Sequence, residues 1–179
     1  MAQTDLTIAG VGGQGSILAG VILGSAAVTN DGKYATQTQA YSSELRGGFA
    51  VAWVIIADEP VVFPRVTQPD ILVAQAQDSI TRFGNSVNPD GILIYDEDMI
   101  TEPPGYIKRI YKIPATSLAR HEIQAPITAN IVMLGALCKI TGVVSRDALE
   151  KAIAIAVPRD KESLNLDAFN LGFEGVKAC

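Results

Sequence analysis

The chain has 179 residues, of which 48% are hydrophobic and 18% are charged, and its formal net charge is −5. This length and this amount of apolar material suit one domain with a sizeable buried core, so we expect a single domain over residues 1–179. A negative charge without clustered Lys and Arg argues against nucleic acid as a partner. The longest apolar stretch, residues 131–138, is much shorter than the ~20 residues of a membrane-spanning helix, which argues against a membrane.

The low charge content and the mean hydropathy of +0.24 are unusual for a soluble monomer. We therefore expect part of the apolar surface to contact another chain. Cys138 and Cys179 are too far apart for a metal-binding motif, and we expect two free thiols in a reducing compartment. The first residues lead directly into an apolar strand without the basic segment and cleavage site of a signal peptide, so a cytoplasmic location is expected.

Strand and helix patterns alternate through the first two thirds of the chain. Strands are predicted at residues 6–10, 34–41, 49–57, 70–76, 91–96 and 106–113, and helices at residues 16–28 and 78–85. After a turn at residues 58–60, residues 61–63 are predicted to form a short return strand at an antiparallel edge of the sheet. The alternation predicts a largely parallel sheet with helices on both faces.

The last third of the chain is predicted to be helical. Residues 127–140 are apolar on nearly all sides, which indicates a helix buried from more than one direction. A second helix is predicted at residues 147–157 behind Ser145 as the N-cap residue, and an irregular amphipathic helix at residues 161–177. The predicted fold class is therefore α/β: a Rossmann-like three-layer fold with a mostly parallel sheet, an antiparallel edge strand and a helical C-terminal part.

A glycine loop follows the first predicted strand and opens the first helix. Gly10, Gly12 and Gly15 have the spacing of the dinucleotide-binding fingerprint in the strand–loop–helix context that this pattern requires. Such glycines let the backbone approach a ligand closely, and the start of a helix favours an anion. They equally suit tight strand-to-helix packing without a ligand. Gln14, between Gly13 and Gly15, favours binding slightly, because its amide is placed to contact a ligand or a partner chain.

The second strand argues against a nicotinamide coenzyme. An acidic residue about 20 positions beyond the glycine loop should bind the ribose hydroxyls of that coenzyme. This chain has Gln37, Gln39 and Tyr41 there, and Asp31 lies before the strand, at the wrong end of the sheet. A phosphate or carboxylate group is therefore a better candidate ligand than NAD.

Several further motifs occur in a characteristic order. They are the stretches at residues 12–15, 19–20, 37–39, 41–48, 68–73, 91–94, 130 and 134–136, the most specific being Tyr-Ser-Ser-Glu-Leu-Arg-Gly-Gly from Tyr41 to Gly48. With these motifs the chain resembles the gamma subunit, or the equivalent fused domain, of 2-oxoacid:ferredoxin oxidoreductases. Indolepyruvate oxidoreductases carry a similar domain. The resemblance covers most of the chain and looks closest to 2-oxoglutarate-type gamma subunits, followed by pyruvate and branched-chain types.

The resemblance implies a division of the chemistry among subunits. Enzymes of this family decarboxylate a 2-oxoacid with thiamine diphosphate and Mg, reduce ferredoxin through iron–sulfur clusters and form an acyl-coenzyme A (EC 1.2.7 type). This sequence lacks a thiamine-binding Gly-Asp-Gly motif and cysteine-rich cluster motifs. We therefore expect these cofactors on alpha and beta subunits and a ferredoxin-like subunit or domain, with external ferredoxin as electron acceptor, and we expect the chain alone to be inactive.

The candidate binding residues come from the two loops after the first two predicted strands. They are Gly12, Gly13, Gln14, Gly15, Tyr41, Ser42, Glu44, Arg46 and Gly47. Both loops should emerge at the carboxyl edge of the sheet, on the assumption that those strands are neighbours. The Arg46 guanidinium could bind a phosphate of coenzyme A or a carboxylate. An ion pair with Glu44, or a salt bridge to a catalytic subunit, is an equally good interpretation.

We assign structural rather than binding roles to the other polar residues that stand out in the sequence. We expect Thr128 and Asn130 to be buried, hydrogen-bonded and engaged in helix capping, with a site role second. The acidic cluster at residues 96–98 is interpreted as a solvated strand end rather than a cation site, and His121 as a solvated or capping residue rather than a catalyst. Two alternatives to a gamma subunit that completes a coenzyme A cleft stay open: a free-standing nucleotide-binding enzyme, and a structural subunit without ligand contact.

Overall fold

A computed structural model of the chain describes residues 3–43 and 47–179. These residues form one seven-stranded sheet with the order β2-β3-β1-β4-β5-β6-β7. Its strands are β1 (Gln3–Val11), β2 (Tyr34–Tyr41), β3 (Phe49–Ala57), β4 (Ile71–Ala74), β5 (Ile92–Asp96), β6 (Arg109–Ile113) and β7 (Lys177–Ala178). The central strands β1, β4, β5 and β6 pair in parallel, whereas β3 is antiparallel to both β1 and β2, and β7 is antiparallel to β6.

The predicted helices are present with shifted ends, and a short helix that was not predicted, Ala115–Ser117, follows β6. The helices are α1 (Ser16–Thr29), α2 (Gln77–Phe83), α3 (Ala115–Ser117), α4 (Ala129–Thr141), α5 (Arg146–Ala156) and α6 (Glu162–Gly175). Short 3₁₀ turns occupy Gly84–Ser86, Pro126–Thr128 and Arg159–Lys161, and α3 continues into one π-helical turn at Leu118–Glu122. None of the helices within the described ranges combines the length and the apolar character that crossing a bilayer requires.

Apolar side chains cover both faces of the sheet because successive residues of a strand point in opposite directions. Leu6 and Ile8 of β1 pack in a cluster with α1, α4, α5 and α6. Ala9, one position on, belongs to a second cluster that contains Ile80 of α2. The three layers therefore consist of the sheet, four helices on one face, and α2 with its neighbouring loops on the other.

The α/β class, the largely parallel central strands, an antiparallel edge and the helical C-terminal part are confirmed, but the assignment of the antiparallel strand to residues 61–63 is wrong. Residues 61–63 form no strand. Instead, β3 runs antiparallel to both of its neighbours, and the two edge strands β2 and β7 each pair antiparallel with the next strand. The assumption that β1 and β2 are neighbours is also wrong, because β3 lies between them. Since β3 is antiparallel to both, β1 and β2 still run in the same direction.

Helix α4 is buried from Asn130 to Cys138, as its apolar sequence predicts, and α6 packs closely against it. A Cβ atom on Gly135 of α4 would overlap the carbonyl oxygen of Phe169, and one on Gly172 of α6 would overlap that of Val132. Glycine at both positions allows the two backbones to touch. This contact fixes α4, whose first turn faces the glycine loop, in the helical layer.

Candidate functional site

The ends of β1 and β2 and the start of β3 meet at one edge of the sheet. The N–H of Gly12 donates to the carbonyl of Gly48 at 2.7 Å, and the N–H of Ser42 donates to the carbonyl of Phe49 at 2.9 Å. Both bonds extend the ladders in which Val11 faces Phe49 and Tyr41 faces Ala50. Residues 12–15, 42–43 and 47–48 therefore lie together at the carboxyl edge of the parallel strands, where α/β folds bind ligands.

The glycine loop has a defined backbone conformation where it enters α1. Gly13 and Gly15 adopt φ values of 95° and 75°, in the left-handed region that glycine enters at little cost. Among the residues that the structure describes, the first-turn N–H groups of Ser16, Ile17 and Leu18 have no hydrogen-bond acceptor. They give the loop the partial positive charge of a helix start, without an acidic side chain in that turn.

The side chain of Gln14 makes hydrogen bonds to other residues of the same chain. Its Oε1 accepts from the N–H of Val11 at 2.8 Å, and its Nε2 donates to the carbonyl of Gln75 at 2.9 Å. The side chain of Gln75, which follows β4 and is only 3% exposed, completes the network by donating to the Gln14 carbonyl and accepting from the Ser16 hydroxyl. In this structure Gln14 braces the loop against β4, and the prediction that its amide contacts a ligand stays a prediction.

Asn130 of α4 closes the other side of the glycine loop. It is 2% exposed, and its Nδ2 donates to the carbonyl of Gly15 at 3.2 Å. Thr128 is buried as well and donates to the carbonyl of Ala125, so the expected burial and hydrogen bonding of both residues are confirmed. The expected capping is found for Asn130, whose Oδ1 accepts from the first-turn N–H of Ile131 at 3.0 Å, but not for Thr128, which makes no capping bond at the N-cap position.

Two clefts border the glycine loop. An apolar cleft of about 370 Å³ is lined by Gly13, Gly15, Leu18, Ile127, Asn130 and Asn165 among others. The second, which we call the turn cleft, measures about 210 Å³ and is lined by Gly13, Gln14, Gln75, Asp96, Thr116 and Arg120 among others. Gly13 belongs to both, so a ligand in either cleft would lie next to the loop.

Tyr41, Ser42 and Gly47 line a third cleft with Asp78 and Arg82 of α2. Tyr41 is 67% exposed there. Arg82 pairs with Asp78 at 2.6 Å and lies 4.8 Å above the centre of the Phe49 ring. The described candidate residues of the two loops thus share one edge of the sheet, but Gly13, Gln14 and Gly15 line different clefts from Tyr41, Ser42 and Gly47. Glu44 and Arg46 lie outside the described residues.

The acidic residues at the end of β5 anchor the helical turn beside the turn cleft. Asp96 is 2% exposed and accepts from the N–H of Asp98 and from both the N–H and the hydroxyl of Thr116. Burial raises the pKa of Asp96, while the bonds from Thr116 and Asp98 oppose that increase. The interpretation of this cluster as a solvated strand end is therefore wrong for Asp96. His121 is exposed, as predicted.

The chemistry of the described side chains does not fit an iron–sulfur cluster or a resident metal ion. Cys138 is buried and Cys179 is exposed, and no group of three His, Cys, Asp or Glu side chains within residues 3–43 and 47–179 could hold a metal ion. The edge of the sheet offers backbone N–H groups, amides and arginines, and its two carboxylates among the described residues are already engaged, Asp78 with Arg82 and Asp96 with Thr116 and Asp98. This set suits an anionic organic ligand.

Sequence reasoning missed Gln75 and Arg120 as residues of this edge. Gln75 had a usable signal, because it is a polar residue directly after the apolar run of β4 and so falls at the carboxyl edge. No sequence signal pointed to Arg120, because its position in the site depends on how residues 115–128 fold over the sheet. The structure defines an α/β protein with a glycine loop and flanking clefts at the carboxyl edge of its parallel strands.

Comparison with known proteins identifies the family. The family model for pyruvate ferredoxin/flavodoxin oxidoreductase matches residues 5–175. The 2-oxoglutarate synthase subunit KorC of Methanocaldococcus jannaschii is 46% identical, over 98% of this chain and 95% of its own. The chain belongs to the pyruvate ferredoxin/flavodoxin oxidoreductase family, which confirms the resemblance inferred from the motifs.

Solved structures agree in fold over nearly the whole chain. The gamma subunit of a keto/oxoacid ferredoxin oxidoreductase from Geobacter sulfurreducens superimposes with a TM-score of 0.89 at 39% identity, covering 98% of this chain and 97% of that one. Pyruvate oxidoreductase subunit PORC from Thermotoga maritima gives a TM-score of 0.82 at 28% identity over 99% of both chains. The chain is thus of the gamma-subunit type of a multi-subunit 2-oxoacid:ferredoxin oxidoreductase, and its expected enzyme class is confirmed.

Proposed function

We propose that this chain is the gamma subunit of an oxidoreductase that oxidatively decarboxylates 2-oxoglutarate in the presence of coenzyme A, giving an acyl-coenzyme A and CO2 and passing the electrons to ferredoxin. The observation that carries the choice of substrate is the 46% identity with a 2-oxoglutarate synthase subunit over almost the full length of both chains. Identity with the pyruvate oxidoreductase subunit over a similar length is 28%. The pyruvate oxidoreductase subunit has the same fold as this chain, so its lower identity reflects differences in side chains rather than in architecture.

Within the complex, the carboxyl edge of this chain would form one wall of the coenzyme A cleft. The glycine loop supports this role with the N–H groups at the start of α1 and with the backbone of Gly13, which borders two clefts. The loop is held from both sides, by Gln75 through Gln14 and by Asn130 through Gly15. A preorganised loop binds an anion without first losing conformational freedom.

The proposed partners are the alpha and beta subunits that bind thiamine diphosphate and Mg, and a ferredoxin-like subunit or domain with iron–sulfur clusters, working with external ferredoxin in the cytoplasm. Large apolar side chains support a subunit contact. Leu18, Val21 and Val28 of α1 are each more than 40% exposed, and Ile127 and Ile155 are about 80% exposed. Such side chains gain free energy when a partner covers them.

The test is to produce the thiamine-binding chains with and without this chain and to measure 2-oxoglutarate-dependent ferredoxin reduction. We expect the complete complex to be active with 2-oxoglutarate, to prefer it to pyruvate, and to lose coenzyme A-dependent turnover without this chain. Arg46→Ala should raise the KM for coenzyme A and leave assembly intact.

Different outcomes would favour the alternatives. Loss of assembly in the Arg46→Ala variant, with an unchanged KM for coenzyme A in the remaining complex, would favour a structural subunit without ligand contact. Tight binding of NAD by the purified single chain would favour a free-standing nucleotide-binding enzyme. A complex that uses pyruvate as well as 2-oxoglutarate would contradict the proposed substrate.

A further inference from the structure

Arg120 lines the turn cleft across from the glycine loop. It belongs to the π-helical turn Leu118–Glu122 and shares the cleft with Gly13, Gln14 and Gln75. π-helical turns are rare and occur frequently at functional sites. The cleft lies at the ends of β4 and β5, because Gln75 follows one strand and Asp96 ends the other.

The turn that carries Arg120 is fixed to the sheet by two carboxylates. Asp96 accepts from the hydroxyl of Thr116 at 2.6 Å, and Asp98 accepts from the N–H of Ser117 at 2.6 Å. Ala119, next to Arg120, is fully buried. The backbone of the turn is thereby held in place, so the base of the Arg120 side chain has a defined position at the mouth of the cleft.

The guanidinium of Arg120 is not neutralised by a carboxylate within the described residues. Two other arginines, Arg82 and Arg146, form ion pairs with carboxylates four residues away. Arg120 has no ion pair among residues 3–43 and 47–179. Asp96, which lines the same cleft, already accepts hydrogen bonds at both oxygens. Arg120 thus combines a charge that is unpaired within the described residues with a place beside the backbone of Gly13 in the same cleft, an environment that suits an anion.

We propose that Arg120 binds a phosphate group of coenzyme A in the turn cleft. This inference rests on the proposed function and adds a specific residue to it. A phosphate has enough non-bridging oxygens to accept from the Arg120 guanidinium and from backbone N–H groups of the glycine loop at the same time. The volume of about 210 Å³ holds a phosphate-bearing part of coenzyme A, and the remainder of the molecule would extend along the glycine loop.

The experiment compares Arg120→Gln and Arg120→Lys in the assembled complex. Steady-state kinetics give KM for coenzyme A and for 2-oxoglutarate, and adenosine 3′,5′-bisphosphate serves as a competitive probe that has phosphates but no thiol. Arg65→Gln is the matched control, because Arg65 is also exposed but lies in the connection from β3 to β4 at the opposite edge of the sheet.

We expect Arg120→Gln to raise the KM for coenzyme A and the inhibition constant of the bisphosphate by about tenfold, as for loss of one charge-assisted contact. The KM for 2-oxoglutarate should stay unchanged. Arg120→Lys should give an intermediate value, because it keeps the charge but loses bidentate geometry. Arg65→Gln should behave like the unmodified complex.

An unchanged KM for coenzyme A in both Arg120 variants, in a complex that still depends on coenzyme A, would overturn the role of Arg120 and leave the proposed function standing. A rise in the KM for 2-oxoglutarate alone would also overturn it, since the arginine would then bind a carboxylate. If coenzyme A kinetics were the same with and without this chain, the proposed function itself would fail.

Discussion

The side chain of Asn130 and the carbonyl of Gly15 are 115 residues apart in the chain and are joined by a hydrogen bond of 3.2 Å. This bond connects the buried start of α4 to the point where the glycine loop becomes α1. Its counterpart across the loop is the pair of amides Gln14 and Gln75, 61 residues apart. The candidate site therefore has a shape determined by contacts between distant segments.

The contact with Asn130 predicts that Gly15→Ala is more damaging than Gly13→Ala. Both residues have positive φ, which costs an L-residue about 1–2 kcal/mol. A Cβ at Gly15 would also lie 2.5 Å from Nδ2 of Asn130, whereas one at Gly13 would meet nothing within 4 Å. Urea unfolding of the two variants measures the difference. Equal losses of stability would show that Asn130 moves aside without cost.

The buried carboxyl of Asp96 predicts a pH-dependent stability. Because burial raises its pKa above the ordinary value of 3.8, the folded state binds this proton more tightly than the unfolded chain does. Its contribution to stability is greatest below that ordinary value and is lost as the pH rises through the raised pKa. Relative to Asp96→Asn, the unmodified protein should thus lose unfolding free energy over this window.

Urea unfolding at a series of pH values checks this prediction for Asp96, and the slope of the difference matters rather than its absolute size, since the substitution also changes hydrogen bonds. Glu102→Gln, at an exposed position, controls for the change in net charge. A difference that is constant with pH, or that grows in favour of the unmodified protein as the pH rises, would contradict the predicted sign.

The two cysteines should differ sharply in reactivity. Burial raises the pKa of the Cys138 thiol to about 11, and the residue is 5% exposed, whereas Cys179 is exposed. Since the thiolate is the nucleophile, iodoacetamide at about pH 8 should modify Cys179 and spare Cys138 in the folded protein. Mass spectrometry of peptides locates the label, and modification of both cysteines in urea is the control. Equal labelling of both in the folded state would contradict the described burial.

The N-cap of α5 is predicted to couple to the end of α1. The Ser145 hydroxyl donates to Asp31 at 2.6 Å and accepts from the N–H of Ala148 at 3.3 Å, and the N–H of Ser145 also donates to Asp31. Ser145→Ala should cost about 1 kcal/mol. In an Asp31→Ala background the cost should be smaller, because part of the interaction is already gone.

A double-mutant cycle by urea unfolding measures this coupling between Asp31 and Ser145. Ser86→Ala combined with Asp31→Ala is the control, since Ser86 bonds to the carbonyl of Phe83 on the other face of the sheet. The changes in unfolding free energy caused by Ser86→Ala and Asp31→Ala should be additive. Additivity of Asp31→Ala and Ser145→Ala as well would show that the observed bonds contribute nothing to stability.

Local patterns predicted the elements well. The helix after the glycine loop, the buried strand at residues 49–57 and the Ser145 N-cap each depend on neighbouring residues, and all three are confirmed. The expected capping is absent at Thr128 and present at Asn130, which accepts from the N–H of Ile131, but the same residues also make bonds that were not predicted. These side chains satisfy their hydrogen bonds with the carbonyls of Ala125 and Gly15, and the latter contact depends on the packing of α4.

By itself, the sequence determined the α/β class, the strand–loop–helix unit at the glycine loop and the family, because apolar periodicity, glycine spacing and ordered motifs are properties of short segments. Only the tertiary structure decided that β3 lies between β1 and β2, that Gln14 turns inward to Gln75, and that Arg120 shares a cleft with Gly13. Each of these depends on hydrogen bonds or packing between residues far apart in the chain, and such pairings leave no periodic signal in the segments that form them.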